Sequence, residues 1–293
     1  MSAGASAGRA IILGGQTGLV GRPLTRALAA AGYAVMPTTR TELDPFDAAA
    51  VARAIESFEA THLFNTVAYT AVDAAEDDRD AAYRLNGELP GLLARECRRS
   101  GTRLVHLSTD FVFDGTGHTP YREDDPVSPQ SVYGASKLAG ERAIADSGLT
   151  DFQILRTAWL YGPGKKNFVA TILGLAKDRE ELRVVADQIG SPTYTVDLAG
   201  WMSDLAGTEA RGIFHAVGSG QASWCDLAAE AVAASGLTCR VTPIASDQYP
   251  QKAKRPAYSV LDNRKLATAI GRTPRTWGVT VREYVYELAQ TSA

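Results

Sequence analysis

Short apolar runs alternate with stretches of helical periodicity through the first half of the chain. Arg9 to Leu13 is a compact apolar run that ends at Gly14-Gly15-Gln16-Thr17-Gly18-Leu19-Val20-Gly21, and an Ala/Leu-rich pattern of helical period follows to about Ala31. Tyr33 to Pro37 reads as a second strand, and Asp44 to Val51 opens a helix with Asp47 as its N-cap. His62 to Val67 reads as a third strand, followed by an acidic helix, AAEDDRDAAYRLN. Leu104 to Leu107 is a fourth strand that breaks at Ser108-Thr109-Asp110. Phe152 to Arg156 is a fifth, and the helix before it carries Tyr133 and Lys137. Such alternation predicts an α/β protein with a Rossmann-like, doubly wound parallel sheet, helices on both faces and a ligand off the carboxyl ends of the strands. Thr17, Arg40, Thr70 and Thr109 fall at such ends and are expected to line one crevice.

From Thr157 onward the alternation becomes irregular. Gly164 to Phe168 opens a helix, Leu182 to Val185 is a short strand, and Asp187 to Thr193 is a polar turn. A helix over about Val196 to Ala206 and a strand over Gly212 to Val217 suit a return to the sheet. The expected division is therefore a dinucleotide-binding domain over residues 9–158, rejoined by 192–218, and a smaller C-terminal substrate-binding domain built from 159–191 and 219–293.

Composition narrows the partners. The chain has 293 residues, 45% of them hydrophobic, and a net charge of -3, which gives no general attraction to nucleic acid or anionic lipid. A small-molecule partner fits better. No apolar stretch approaches the roughly 18 residues of a membrane span, and the first residues are small and polar with no apolar signal core. A cytoplasmic protein with a disordered first few residues is expected. Cys97, Cys225 and Cys239 have neither metal-type nor disulfide-framework spacing and read as structural thiols. The acids Glu76, Asp77, Asp78 and Asp80 read as a solvated helix N-terminus, and no metal site is expected.

Two motifs carry chemistry. Gly15, Gly18 and Gly21 between a strand and a helix let the backbone approach a pyrophosphate and let the helix pack close to the strand. The end of the second strand offers Arg40 and no acid; a guanidinium there suits the 2'-phosphate of NADPH, with NADH as the alternative cofactor. Tyr133 and Lys137 are four apart, so a helix puts a phenol and an ammonium on one face. The ammonium is expected to lower the phenol from its ordinary pKa of about 10 and make it a usable proton donor to a carbonyl. A hydroxyl at the end of the adjacent strand, Ser108 or Thr109, would hold the same oxygen. Of 7 lysines against 23 arginines, none precedes Lys137, which singles that ammonium out.

Together the glycine turn, Ser108-Thr109-Asp110 and Tyr-x-x-x-Lys resemble the extended short-chain dehydrogenase/reductases. Longer runs narrow the resemblance to the dTDP-4-dehydrorhamnose reductases: AYTAVDAAE from Ala68, LSTDFVFDGTG from Leu107, SPQSVYGASKLAGE from Ser128, RTAWLY from Arg156, DQIGSPT from Asp187 and RPAYSVLDNRKL from Arg255. The resemblance implies reduction of a nucleotide-sugar 4-keto group, with Thr109, Tyr133 and Lys137 catalytic. It implies Gly15, Gln16, Thr17, Gly18, Leu19, Val20, Arg40, Asp44, Val67, Ala68, Tyr133 and Lys137 at the cofactor, and Thr70, Asp110, Trp159 and Arg255 at the substrate. Trp159 also reads as a core residue, and Lys165 and Lys166 as cations for a diphosphate or as a solvated face.

The chain departs from the family at three places. Phe111 stands where a tyrosine is frequent, Thr66-Val67 replace two alanines, and Pro23 occupies the position of a glutamate that helps some members dimerise through magnesium. Neither metal nor dimer is carried over, and a homodimer stays open. The alternatives are another nucleotide-sugar epimerase or dehydratase of the superfamily, or a non-catalytic regulatory subunit of a methionine adenosyltransferase. A dehydratase calls for an Asp-Glu pair after the strand hydroxyl, whereas this chain reads Thr109-Asp110-Phe111.

Overall fold

A computed structural model describes residues 8–291; the expectation for the first few residues lies outside that range. The elements in chain order are β1 (Gly8–Leu13), α1 (Gly21–Ala30), β2 (Tyr33–Thr38), α2 (Ala48–Ser57), β3 (His62–Asn65), α3 (Arg79–Tyr83), α4 (Leu89–Ser100), β4 (Arg103–Thr109), α5 (Val132–Ala145) and β5 (Phe152–Thr157). They continue with β6 (Leu160–Tyr161), α6 (Phe168–Ala176), β7 (Glu181–Val185), β8 (Ile189–Gly190), β9 (Thr193–Tyr194), α7 (Thr195–Ala206), β10 (Gly212–His215), β11 (Ala222–Ser223), α8 (Trp224–Ser235), β12 (Arg240–Ile244), α9 (Arg264–Ile270) and α10 (Trp277–Thr291). No described helix is long and apolar enough to cross a membrane.

The central sheet has six strands in the order β10-β5-β4-β3-β1-β2, every pair parallel. Alternation along each strand feeds two cores. Ala10 and Ile12 of β1 face Leu24 and Leu28 of α1 and Leu198, Trp201 and Met202 of α7, while Ile11 and Leu13 face Val51 and Ile55 of α2 and Leu89 and Leu93 of α4. Each such Leu, Ile, Val or Met side chain, fully buried, contributes about 1.5–3 kcal/mol relative to exposure. β10 returns to the sheet beside β5, as its apolar run suggested. Because β1 is flanked by β2 on one side and β3 on the other, the chain reverses direction across the sheet at its carboxyl end, which is where doubly wound folds open a crevice.

Several boundaries differ from the sequence reading. β3 stops at Asn65, because the Asn65 side chain turns to accept a bond from the Val67 amide (3.1 Å) and leads the chain out of the sheet. The acidic helix is broken into a 3-10 turn (Ala74–Glu76), α3 and a π-helical stretch (Arg84–Glu88) before α4. The polar turn after β7 contains β8 and the start of β9. β8 also bonds a late segment: the Ile189 amide donates to Ala257 O and the Ser259 amide to Ile189 O, both at 2.8 Å. That segment then continues against the loop after β4, with Tyr258 N to Gly115 O at 3.1 Å and Tyr121 N to Val260 O at 2.8 Å. Three of the runs that carried the resemblance thus converge over the crevice.

Candidate active site

The glycine turn after β1 is as tight as its composition requires. A Cβ on Gly15 would sit 2.7 Å from Pro37 Cβ, and one on Gly18 or Gly21 would fall 2.8 or 2.2 Å from the Gly14 carbonyl. Only hydrogen fits at the three positions. α1 starts with no side-chain cap and no acid in its first turn, so no carboxylate opposes an anion there, although Arg22 N is already bonded to Gly18 O (3.3 Å) and Pro23 has no N–H. Thr66, one of the two residues that replace alanines, is tied back to the end of β1, its hydroxyl donating to Leu13 O at 2.7 Å.

One part of the sequence reading needs correction here. The carboxyl end of β2 does present an acid. Glu42 folds back so that its Oε2 accepts from Thr39 N (2.7 Å), Thr39 Oγ1 (2.9 Å) and Gln16 Nε2 (2.8 Å). Arg40 beside it is exposed. Asp44 stays outside α2 and accepts from the Phe46 amide (3.1 Å), while Asp47 caps that helix as expected through Ala50 N (2.9 Å).

At the end of β4 the alternation of side chains separates the two candidate hydroxyls. Ser108 points into the sheet's helical layer and donates to Glu141 Oε1 (2.5 Å), which with its second oxygen holds Arg156 in a buried two-pronged ion pair (3.0 and 2.7 Å). Thr109 faces the crevice, donates to Asp110 Oδ1 (3.0 Å) and interacts with the Tyr133 phenol. Ser131 caps α5 through Gly134 N (3.1 Å), and Glu76 accepts from Val132 N (2.9 Å). The acids after β3 are therefore not simply solvated, because Glu76 anchors the helix that presents Tyr133.

Lys137 lies fully beneath the site. Its Nζ donates to Leu107 O (2.6 Å) and lies 3.4 Å from His106 Nε2, whose other ring nitrogen is 3.1 Å from Asn65 Nδ2. Burial pulls the ammonium down to about 8, against the opposing pull of Glu141. Burial, together with the Lys137 charge, holds His106 well below its ordinary value, so the imidazole is neutral. The expected lowering of Tyr133 is not what these neighbours produce: desolvation pushes the phenol up to about 12, the Thr109 bond opposes this and the Asp110 charge adds to it. The ammonium is directed at a β4 carbonyl, and removal from water dominates the phenol.

On the sugar side, the Phe111 ring packs edge-on against Tyr133 (centroids 5.5 Å apart) and receives the Arg255 guanidinium at 5.8 Å. Arg255 Nη2 donates to Asp73 (2.8 Å), and its buried Nη1 has no hydrogen bond among the described residues, which fits an anionic or hydroxylated ligand. Lys252 pairs with Asp77 in the same region. Trp159 is held with a left-handed φ of 48°, stacks on Trp224 with centroids 3.5 Å apart, and leaves no room for a Cβ on Gly190. It is half-buried and packs against the core around Tyr161 and Tyr194. Thr70 is exposed, Lys165 and Lys166 are exposed, and Tyr69 is fixed by Asn86, whose side chain bonds both its amide (2.8 Å) and its carbonyl (3.0 Å). Asn86 and His106 carried no signal in the sequence, since their partners lie far away along the chain. The three cysteines are free and buried, and no cluster of metal-ligating side chains occurs among the described residues.

A parallel sheet that delivers a hydroxyl from its fourth strand, and a tyrosine and a lysine from the helix after it, defines an extended short-chain dehydrogenase/reductase, a class of Rossmann-fold oxidoreductases. Within that class the chain belongs to the family described as RmlD substrate binding domain, whose model matches residues 9–290. It is 41% identical to a dTDP-4-dehydrorhamnose reductase of Burkholderia thailandensis, over 93% of this chain and 98% of the relative. It is 40% identical to a dTDP-4-keto-6-deoxy-D-glucose reductase of Streptomyces niveus, over 90% and 92%. Among solved structures, the dTDP-4-dehydrorhamnose reductase of Bacillus anthracis in complex with NADP matches with a TM-score of 0.91 and 33% identity, covering 96% of this chain and 99% of that one.

Proposed function

We propose that the chain reduces the 4-keto group of dTDP-4-dehydro-L-rhamnose to give dTDP-L-rhamnose, with NADPH as cofactor and NADH as the alternative. The observation that carries this reading is the pairing of Thr109 and Tyr133 above a buried Lys137 at the carboxyl edge of the sheet. When bound, the dihydronicotinamide supplies a hydride to C4. Tyr133 donates its proton to the oxygen on which negative charge develops, and Thr109 holds that oxygen in reach. A phenol near 12 is fully protonated at neutral pH, the form that ketone reduction consumes. Lys137 keeps a positive charge buried beneath the pair, held on the Leu107 carbonyl and not on the phenol itself.

The residues from Gly15 to Val20 take the pyrophosphate, Arg40 and Asp44 serve the adenosine ribose, and Val67 and Ala68 line the nicotinamide. Thr70, Asp110, Trp159 and Arg255 serve the sugar nucleotide, and the unpartnered Arg255 nitrogen supports its place there. Residues 159–191 and 219–293 act as the substrate-binding unit, and 9–158 with 192–218 as the dinucleotide-binding unit. The Streptomyces niveus relative favours a second reading on the same chemistry, with dTDP-4-keto-6-deoxy-D-glucose as substrate. Oxidation of NADPH and of NADH with each sugar nucleotide separates the two. No oxidation with either cofactor and either sugar overturns both. In Tyr133→Phe turnover is expected to fall at least about 100-fold while NADP+ binding persists; near-normal turnover removes the proposed proton donor.

A further inference from the structure

The three donors gathered on Glu42 have a use that the folded chain alone does not explain. Thr39 N, Thr39 Oγ1 and Gln16 Nε2 all converge on one carboxylate oxygen. Gln16 is additionally oriented by its bond to Pro37 O (3.0 Å), so its amide is fixed at the glycine turn. Arg40, next to Thr39, is exposed and has no hydrogen bond or ion pair among the described residues. A hydroxyl, a side-chain amide and a backbone amide around one anionic oxygen form an oxyanion cradle that is already filled from within, with the exposed Arg40 adjacent in sequence. It stands at the carboxyl end of β2, where a dinucleotide's adenosine ribose is read.

We infer that Glu42 is the residue that sets discrimination at the ribose 2'-position: its carboxylate occupies the place of a 2'-phosphate and must be displaced for NADPH, whereas it can stay and accept the 2'-hydroxyl of NADH. The inference rests on the proposed dinucleotide reading. A 2'-phosphate takes over the Thr39 and Gln16 donors and gains Arg40, but it works against the carboxylate it displaces. A 2'-hydroxyl meets an acceptor that is already oriented. The same three bonds hold the Glu42 carboxyl below the usual carboxylate range, so the competing charge is present at neutral pH. Arg40 and Glu42 therefore pull the cofactor preference in opposite directions, and a reading from Arg40 alone overstates the advantage of the phosphorylated cofactor.

Calorimetric binding of 2',5'-ADP and 5'-AMP to the full chain tests this without turnover. Glu42→Gln keeps an acceptor for Thr39 and removes the charge; it is expected to tighten 2',5'-ADP about tenfold, the loss of one nearby like charge, with 5'-AMP unchanged or weaker. Arg40→Gln is expected to weaken 2',5'-ADP by a similar factor and leave 5'-AMP within about twofold. If Glu42→Gln binds 2',5'-ADP no more tightly than the parent, or tightens both ligands equally, the inference is overturned while the reductase reading stands. If the parent binds neither NADP+ nor NAD+, both fall.

Discussion

Asp110 shows how a single side chain at the crevice couples function to stability. It is 2% exposed, shares only Oδ1 with Thr109, and its Oδ2 has no hydrogen bond among the described residues. Burial lifts its carboxyl to about 6 from 3.8, against bonds that pull the other way. With the folded value above the unfolded one, the folded chain keeps a proton between those limits that the unfolded chain has lost. The favourable contribution is complete below about pH 4 and is lost as pH rises through about 6. Asp110→Asn should therefore gain on the parent across that window, reaching on the order of 2–3 kcal/mol at pH 7, as read by urea unfolding at a series of pH values. A difference that stays flat with pH contradicts the buried acid. Side chains of this kind divide sharply in what a sequence reveals. Thr109, Tyr133 and Lys137 declare themselves by type and spacing on predictable elements. Glu42, Asn86 and His106 do not, because each acts through a partner brought near only by folding: Gln16 for Glu42, Ser136 and Tyr69 for Asn86, Lys137 for His106. The phenol's elevated pKa was equally invisible, since spacing places a lysine on the same face but does not aim its ammonium.

At the scale of elements, α5 is positioned by close contact at two levels. A Cβ on Gly140 would lie 2.1 Å from the Asn86 carbonyl, and one on Gly134 2.2 Å from the Phe111 carbonyl. The helix thus rests directly on the π-helical stretch and on the loop after β4. Below that, Glu141 joins α5 to β4 through Ser108 and to β5 through Arg156. Removing the carboxylate leaves Arg156 charged at 3% exposure, so Glu141→Ala should cost about 3–5 kcal/mol, measured as a loss of unfolding free energy. A loss below about 1 kcal/mol would mean that water or another acid takes its place. Hydrophobic periodicity located α5 and every strand of the sheet, but it could not show the break between α3 and α4. Nothing in AAEDDRDAAYRLN interrupts a helix; the widened turn is set by where Asn86 meets α5.

Over the whole molecule, residues 252–262 tie the end of the chain to its beginning. Asp73 accepts from the Ala253 amide (3.0 Å) and from Arg255, and the segment then runs between the loop after β4 and β8. The Asp73–Arg255 pair is partly exposed, with side-chain exposures of 45% and 16%, so its net contribution is at most about 1 kcal/mol. In Asp73→Asn, cleavage by trypsin after Lys252 or Lys254 should accelerate about two- to fivefold with secondary structure unchanged. An unaltered cleavage rate would show that the backbone bonds alone hold the segment. Long-range threading of this sort has no local signature, which is why the chain beyond Thr157 read as irregular while the alternating first half read clearly.

The return of β10 to the sheet also sets an order in time. As the protein is synthesised, β1 through β5 can pair as soon as they emerge, yet β5 then presents an open row of amides and carbonyls until Gly212–His215 has been made and covers it. The nascent chain is thus most vulnerable to association with other copies after β5 has emerged from the ribosome and before β10 has, and four residues of late strand end that exposure.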